Sequence, residues 1–360
     1  MVQGINTIRN LTLNRIARLA LHWRCMAGRT ARRLAVLPIS LIALTATTVA
    51  GTATDDLTDM SLEALMNLEI TSVSKKPQKK SEAAAAVFVI TGEDIQRWGV
   101  TNIPDALRRV PGLHVARIDA NKWAVTARGF NSRFANKLLV LIDGRTVYTP
   151  LFTGVYWDAN LAMLEDIERI EVIRGPGGTL WGSNAVNGVI NIITKTAADT
   201  QGTLMSASAG NELDHLMSVR HGGTDRSGAH YRVYAMSRAD DTGYSSTGAH
   251  DDARIAQTGF RRDWKNGAAD SHTLQGDVYK GTGGQELTIA PSAPAMIIDD
   301  AETRGGNLLY RWTHKTNTDS DLTLQAYFDH VGRESAVLYE DRQTLDLEFQ
   351  HHFGWQDYHD

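Results

Sequence analysis

From residue 202 to residue 353 the sequence alternates with a period of two. In DLTLQAYFDH, Leu322, Leu324, Ala326 and Phe328 share one face, while Thr323, Gln325, Tyr327 and Asp329 share the other. TLDLEFQ sets Leu345, Leu347 and Phe349 against Asp346, Glu348 and Gln350, and GNLLYRWTHK sets Leu308, Tyr310 and Trp312 against Asn307, Leu309, Arg311 and Thr313. Successive side chains leave a strand on opposite faces, so this stretch is predicted as a run of about eight antiparallel strands. A water-soluble sandwich alternates as well. Two further features favour a membrane wall. Short connections at 222–228, 266–270 and 315–319 take turns with long ones at 240–256, 282–303 and 331–342, the parity of outer-membrane barrels. Aromatic residues, among them Phe260, Trp264, Tyr310, Trp312, Phe328 and Phe349, sit on the apolar faces near strand ends.

The N-terminal part points to export. Leu34 to Ala50 form an apolar stretch behind Arg29, Arg32 and Arg33, and small residues follow it. That order is a secretory signal peptide, and Pro38, Ser40 and several threonines keep it short of a helical span. Met26, followed by AGRTARR, is a more natural start than Met1, which leaves residues 1–25 as an extension. The lone cysteine, Cys25, lies in the segment expected to be removed, so no disulfide framework or thiolate metal site is expected. A net charge of -4 without a basic stripe argues against a nucleic-acid partner.

Residues 83–196 have a different texture, short strands mixed with short helices. AVFVI (Ala86–Ile90) reads as a strand, and Thr91-Gly92-Glu93-Asp94 opens a helix with acids in its first turn. Asn102–Val110 reads as a second helix, with Pro104 early and Pro111-Gly112 as its stop. Leu113–Ile118, Trp123–Arg128, Leu138–Ile142, Ile167–Ile173 and Val189–Thr194 are predicted strands. Gly129, Asp143-Gly144 and Gly175-Pro176-Gly177-Gly178 supply sharp turns, and Trp181-Gly182 and Asn187-Gly188 continue a turn-rich hairpin. A phosphate-cradling loop is excluded because Leu180 stands where a third glycine would be needed. Catalytic patterns are absent too: His351 and His352 point to opposite faces of one strand, and neither a G-x-S-x-G elbow nor an H-E-x-x-H helix occurs. No cofactor or metal is expected, and nothing supports an enzyme.

The stretches VITGEDIQRWGVTNIPDALRRVPGLHVARI, ARGF, KLLVLIDGRTVYTP and DIERIEVIRGPGGTLWGSNAVNGVINIITK, in that order, resemble the plug domain of TonB-dependent outer-membrane receptors. The resemblance covers residues 68–196, and beyond them it is one of barrel texture. It implies an α+β plug domain (83–196) followed by part of an antiparallel transmembrane β-barrel (202–360), with a signal segment (1–53) and a linker region (54–82) ahead. It implies a TonB box at Leu68, Glu69, Ile70, Thr71, Ser72, Val73 and Ser74, whose extended backbone would offer an edge to a strand of periplasmic TonB. Arg128 and Arg174 match plug arginines that pair with glutamates on the inner wall, partners expected in late strands. The expected role is uptake of a scarce nutrient, most often an iron–siderophore complex, across the outer membrane, with the lipid bilayer and a metal chelate as partners. The family closes about 22 strands, so about eight suggest a truncated product or a fragment of a longer gene. The alternative from another class is a periplasmic interaction or signalling module with a soluble β-domain.

Overall fold

A computed structural model of the chain describes residues 69–70, 78–79, 85–129, 131–182, 184–243, 250–288, 296–317 and 320–353. All of them belong to the unit that runs from Asp55 to Asp360. The expected signal segment, and Leu68 and Thr71–Ser74 of the expected TonB box, lie outside the described residues.

The plug begins with β1 (Ala86–Thr91) and α1 (Gly92–Trp98). A capping box starts α1: the Asp94 N–H donates to Thr91 Oγ1 at 3.1 Å and the Thr91 N–H to Asp94 Oδ2 at 3.0 Å. Helix α2 (Ile103–Leu107) is capped by Asn102, whose Oδ1 accepts the Asp105 N–H at 2.8 Å. It is shorter than the predicted Asn102–Val110. The backbone tightens before Pro111, and the N–H groups of Arg109 and Val110 reach back three residues, to Ala106 and Leu107. A hairpin follows, β2 (Leu113–Arg117) and β3 (Trp123–Ala127), then β4 (Leu138–Ile142), β5 (Arg145–Thr146), β6 (Ile167–Arg174), the one-turn helix α3 (Gly178–Trp181) and β7 (Gly188–Thr194).

Five of these strands form one sheet in the order β1-β6-β7-β4-β5, with β4 and β7 parallel and the other pairs antiparallel. The run LLVLI has no polar position because both faces of its strand are covered. Leu138 and Val140 join Ile90, Ile95, Leu107, Ile170 and Ile190 on one face. Leu139 and Leu141 join Val87, Ile173, Val189 and Ile70 on the other. Each fully buried aliphatic side chain contributes about 1.5–3 kcal/mol, so the two faces hold the domain shut.

The remaining strands are β8 (Gly202–Ser208), β9 (Leu213–Thr224), β10 (His230–Asp240), β11 (Ala253–Asn266), β12 (Asp270–Thr288), β13 (Met296–Asn317), β14 (Ser320–Ser335) and β15 (Leu338–Phe353). They form a single antiparallel sheet in sequence order, and among the described residues β8 and β15 do not pair. This sheet is an unclosed wall around the plug.

Its burial is inverted relative to a protein in water. Leu345, Leu347 and Phe349 are 81%, 71% and 63% exposed, and Met205, Val278, Leu308 and Phe328 are exposed with them. The polar alternates Arg220, Arg232, Gln257, Arg261, Gln325 and Asp329 are buried. A soluble sandwich would bury the first set, so the wall faces lipid and the soluble β-domain alternative is set aside.

Two predicted connections are corrected. Residues 282–303 and 331–342 are largely strand: β12 runs on to Thr288, β13 starts at Met296, and only two residues separate β14 from β15. Glycine inside these long strands serves close packing. A Cβ on Gly305 would meet the Tyr279 hydroxyl at 2.5 Å, so this glycine lets an aromatic ring cover its strand.

Candidate functional site: the seam between plug and wall

Inward side chains of the wall meet the plug at several places, three of which form a continuous polar seam. The first is the 3₁₀ turn Leu164–Asp166 that leads into β6. Asp166 is buried and faces two buried wall arginines; Arg220 Nη1 donates to its Oδ1, and Arg232 Nε lies 3.4 Å from its Oδ2. The second is the end of β7. Thr194 Oγ1 accepts from Arg232 Nη2 at 3.0 Å and from Arg261 Nη1 at 3.1 Å, and the Ala197 N–H donates to Asp263 Oδ2 at 2.7 Å.

The third is the β4–β5 turn. Asp143 takes a left-handed backbone, φ 51°, and Gly144 follows at φ 86°. One carboxylate oxygen of Asp143 accepts the Thr194 N–H at 2.8 Å; the other accepts from Thr194 Oγ1 at 2.8 Å and from wall Gln275 Nε2 at 2.9 Å. Its carbonyl accepts from Arg311 Nη2 at 2.6 Å, and the Gly144 carbonyl accepts from Gln325 Nε2 at 3.3 Å. Arg145 then pairs with buried Asp329 at 2.7 Å, with Arg342 at 3.2 Å on the other carboxylate oxygen. A cavity whose lining includes Asp143, Arg145, Asp166, Arg232, Tyr234 and Asp277 lies within this seam.

At the end of the wall opposite the short turns, plug loops reach the strand ends. Asp251 accepts the Ala120 N–H at 2.7 Å, and Asn121 Nδ2 donates to the Asp251 carbonyl at 2.7 Å. Lys122 is buried. Its Nζ donates to the Gly284 carbonyl at 2.8 Å, to Asn121 Oδ1 at 2.7 Å and to Asp119 Oδ2 at 3.0 Å. Burial pushes this ammonium below the ordinary lysine value, with the Asp119 charge opposing. Beside it Phe134, Phe152 and Tyr156 make two edge-to-face contacts at 5.0 Å, and Phe134 remains half exposed. Arg333 lies over the Tyr156 ring at 4.4 Å and pairs with Asp158 at 2.9 Å, while Arg133 lies over Phe134 at 5.3 Å. Burial lowers the affinity of the Arg133 guanidinium for its proton and raises that of the Tyr156 phenolate.

The residues singled out in the sequence divide between this seam and the plug interior. Asp143 and Gly144 touch the wall. Arg174 stays within the plug, its Nη1 donating to the Pro111 carbonyl at 2.9 Å. Arg128 is exposed with a left-handed backbone, φ 60°, and its guanidinium lies near the Gly175 turn. Neither arginine reaches β8–β15 among the described residues. Gly129, Gly175 and Gly182 have positive φ, Pro176 is exposed, and the Gly177 N–H bonds to the Ala185 carbonyl at 2.9 Å. Two turn assignments are corrected: Gly178 opens α3, and Gly188 is the first residue of β7. Glycine is needed at 188 because a Cβ there would meet the Ile173 carbonyl at 2.4 Å. Of the expected TonB box, Glu69–Ile70 pairs antiparallel with Gln78–Lys79, and Ile70 is fully buried against Val87, Leu139 and Val189.

Sequence reasoning missed Asp166 and the arginines that face it. Asp166 stands at the start of the β6 motif, but nothing near it in the sequence points to Arg220 or Arg232 as its partners.

A family model described as the TonB-dependent receptor plug domain matches residues 79–189. The vitamin B12 transporter BtuB of Vibrio vulnificus is 34% identical over 145 residues, 40% of this chain and 23% of that protein. Its Vibrio cholerae counterpart is 31% identical over 153 residues, 42% and 24% of the two chains. The siderophore receptor PirA from Pseudomonas aeruginosa superposes with a TM-score of 0.57 at 20% identity, covering 76% of this chain and 45% of that one. The closed form of the ferric-catecholate import receptor Fiu from E. coli K12 gives 0.57 at 18%, covering 77% and 43%. The chain thus spans about a quarter of the length of those curated relatives.

Proposed function

We propose that the chain is a TonB-dependent outer-membrane receptor, of which it carries the plug domain and eight strands of wall, and that it serves the import of a large metal chelate. The observation that carries this reading is the wall's inverted burial, apolar toward lipid and charged toward an inserted plug. A gated importer needs both halves of that arrangement, because a polar seam can be broken and remade while an apolar one seals.

In this reading the ligand rests at the loop end, on the aromatic ledge of Phe134, Phe152 and Tyr156 beside the guanidinium of Arg133. An anionic ferric siderophore is the ligand this chemistry suits best. A cobalamin is the second reading, supported by the names of the two curated relatives. Residues 68–74 would offer a backbone edge to TonB in the periplasm, with Ile70 withdrawn from its pocket for that purpose. Arg128 and Arg174 would lock the plug by pairing with wall carboxylates.

Binding decides between the ligands. Trp123 and Trp157 lie in the plug near the loop end, so tryptophan emission of the purified protein reports on occupancy. Saturable quenching by ferric siderophores and not by cyanocobalamin supports the first reading, and the reverse supports the second. Quenching by neither, in a protein extracted from the outer-membrane fraction, overturns the assignment of this ledge.

A further inference from the structure

The lipid-facing side of the wall changes character at the short-turn end. Counting in steps of two from exposed Val219, Val233, Phe260, Val278, Leu308 and Phe349, the same face reaches His221, Tyr231, Trp264, His272, Trp312 and His351. Three of these six positions hold imidazole, a ring whose nitrogens can hydrogen-bond a headgroup.

The rim is built rather than scattered. Trp264, His272 and Trp312 stand directly opposite one another across β11, β12 and β13. Trp264 stacks on His272 with centroids 4.9 Å apart and planes 10° from parallel. Nδ1 meets the Tyr310 hydroxyl in His272 at 2.9 Å and Thr203 Oγ1 in His221 at 2.9 Å, whereas His351 meets Ser320 Oγ through Nε2 at 3.2 Å; His314, two residues beyond Trp312, has Nδ1 on Asp270 Oδ1 at 2.9 Å. Among the described residues the Nε2 atoms of His221 and His272 have no protein partner, and a hydroxyl proton given to Nδ1 leaves each Nε2–H as a donor. Arg262 lies over Trp264 at 4.9 Å, and Arg226, Lys265 and Lys315 are exposed at the adjoining turns. The acids of the rim are engaged: Asp225 accepts from Arg262, Ser227 and Ala229, and Asp270 from Trp312 and His314.

We infer that this rim binds the phosphodiester headgroup of anionic glycerophospholipids in the periplasmic leaflet. The apolar band below it is already committed to acyl chains, so the ligand that arrives at this height is a headgroup. Indole rings suit the glycerol and ester level, and the free imidazole nitrogens and surplus cations meet the phosphate oxygens. The inference rests on the wall lying in a bilayer.

The test uses the full chain reconstituted into nanodiscs of phosphatidylethanolamine with either phosphatidylglycerol or phosphatidylcholine. Lipids that stay bound on release are counted by native mass spectrometry. Phosphatidylglycerol is retained in preference, by about fivefold for each favourable charge at the surface. The double variant His221→Phe with His272→Phe keeps the rings and loses the donors, and retains less phosphatidylglycerol than the parent chain. Equal retention of the two lipids by the parent chain, or unchanged phosphatidylglycerol retention in the double variant, overturns the inference alone. Failure to enter either bilayer overturns the membrane wall and this rim together.

Discussion

Asp166 is the residue on which the seam depends most, since it stands buried between Arg220 and Arg232 with hardly any water to replace a lost charge. Asp166→Asn leaves two guanidinium groups facing a neutral amide. Removing one partner of such a buried cluster costs about 3–5 kcal/mol, so the variant should release its plug to protease at a lower denaturant concentration than the parent. Asp143→Ala should be milder, because its carbonyl contact with Arg311 survives. Lys122 gives a pH dependence of defined sign. Its folded-state value lies below the unfolded one, so between the two the unfolded chain holds a proton that the folded chain has released. Stability of the docked 119–122 loop therefore rises as the pH climbs through that alkaline window. Lys122→Met should flatten the rise, read as hydrogen exchange of the Ala120 and Asn121 amides.

At the level of elements, the plug was legible because its signals are local. The Thr91 and Asn102 caps, the Pro111 stop and the unbroken LLVLI run fix α1, α2 and β4 within a few residues, and β6 and β7 fall where their isoleucine runs place them. Wall strands were legible through their parity, and both Leu347 and Gln325 stand on the faces that the alternation assigned. Their length was not, because glycine in a sequence does not reveal whether it turns a chain or makes room for Tyr279. The seam stayed hidden for a related reason: Asp166 and Arg220 are 54 residues apart, and nothing local ties one to the other. Two predictions belong here. Leu347→Arg, at a position 71% exposed, would be almost silent on a soluble sheet. On a lipid-facing strand it costs about 2–4 kcal/mol, and loss of membrane-fraction recovery is the expected readout. Gly188→Ala drives a methyl group into the Ile173 carbonyl, and thermal unfolding should show a loss of about 1–3 kcal/mol.

For the molecule as a whole, the tall hairpin of β12 and β13 matters more than its role in the seam suggests. A bilayer core is crossed by strands of about 10 residues, whereas these two have 19 and 22. With the short turns 225–229 and 267–269 at the periplasmic edge, as the importer reading has them, the surplus would stand outside the cell, rising roughly 30 Å along the strands beyond the lipid. Ile298 and Met296 are carried on that projection with their side chains open to solvent. An impermeant thiol reagent given to living bacteria should therefore modify Ile298→Cys and spare Ser227→Cys. A parapet of this height would be the first surface that an antibody, a phage fibre or a toxin meets.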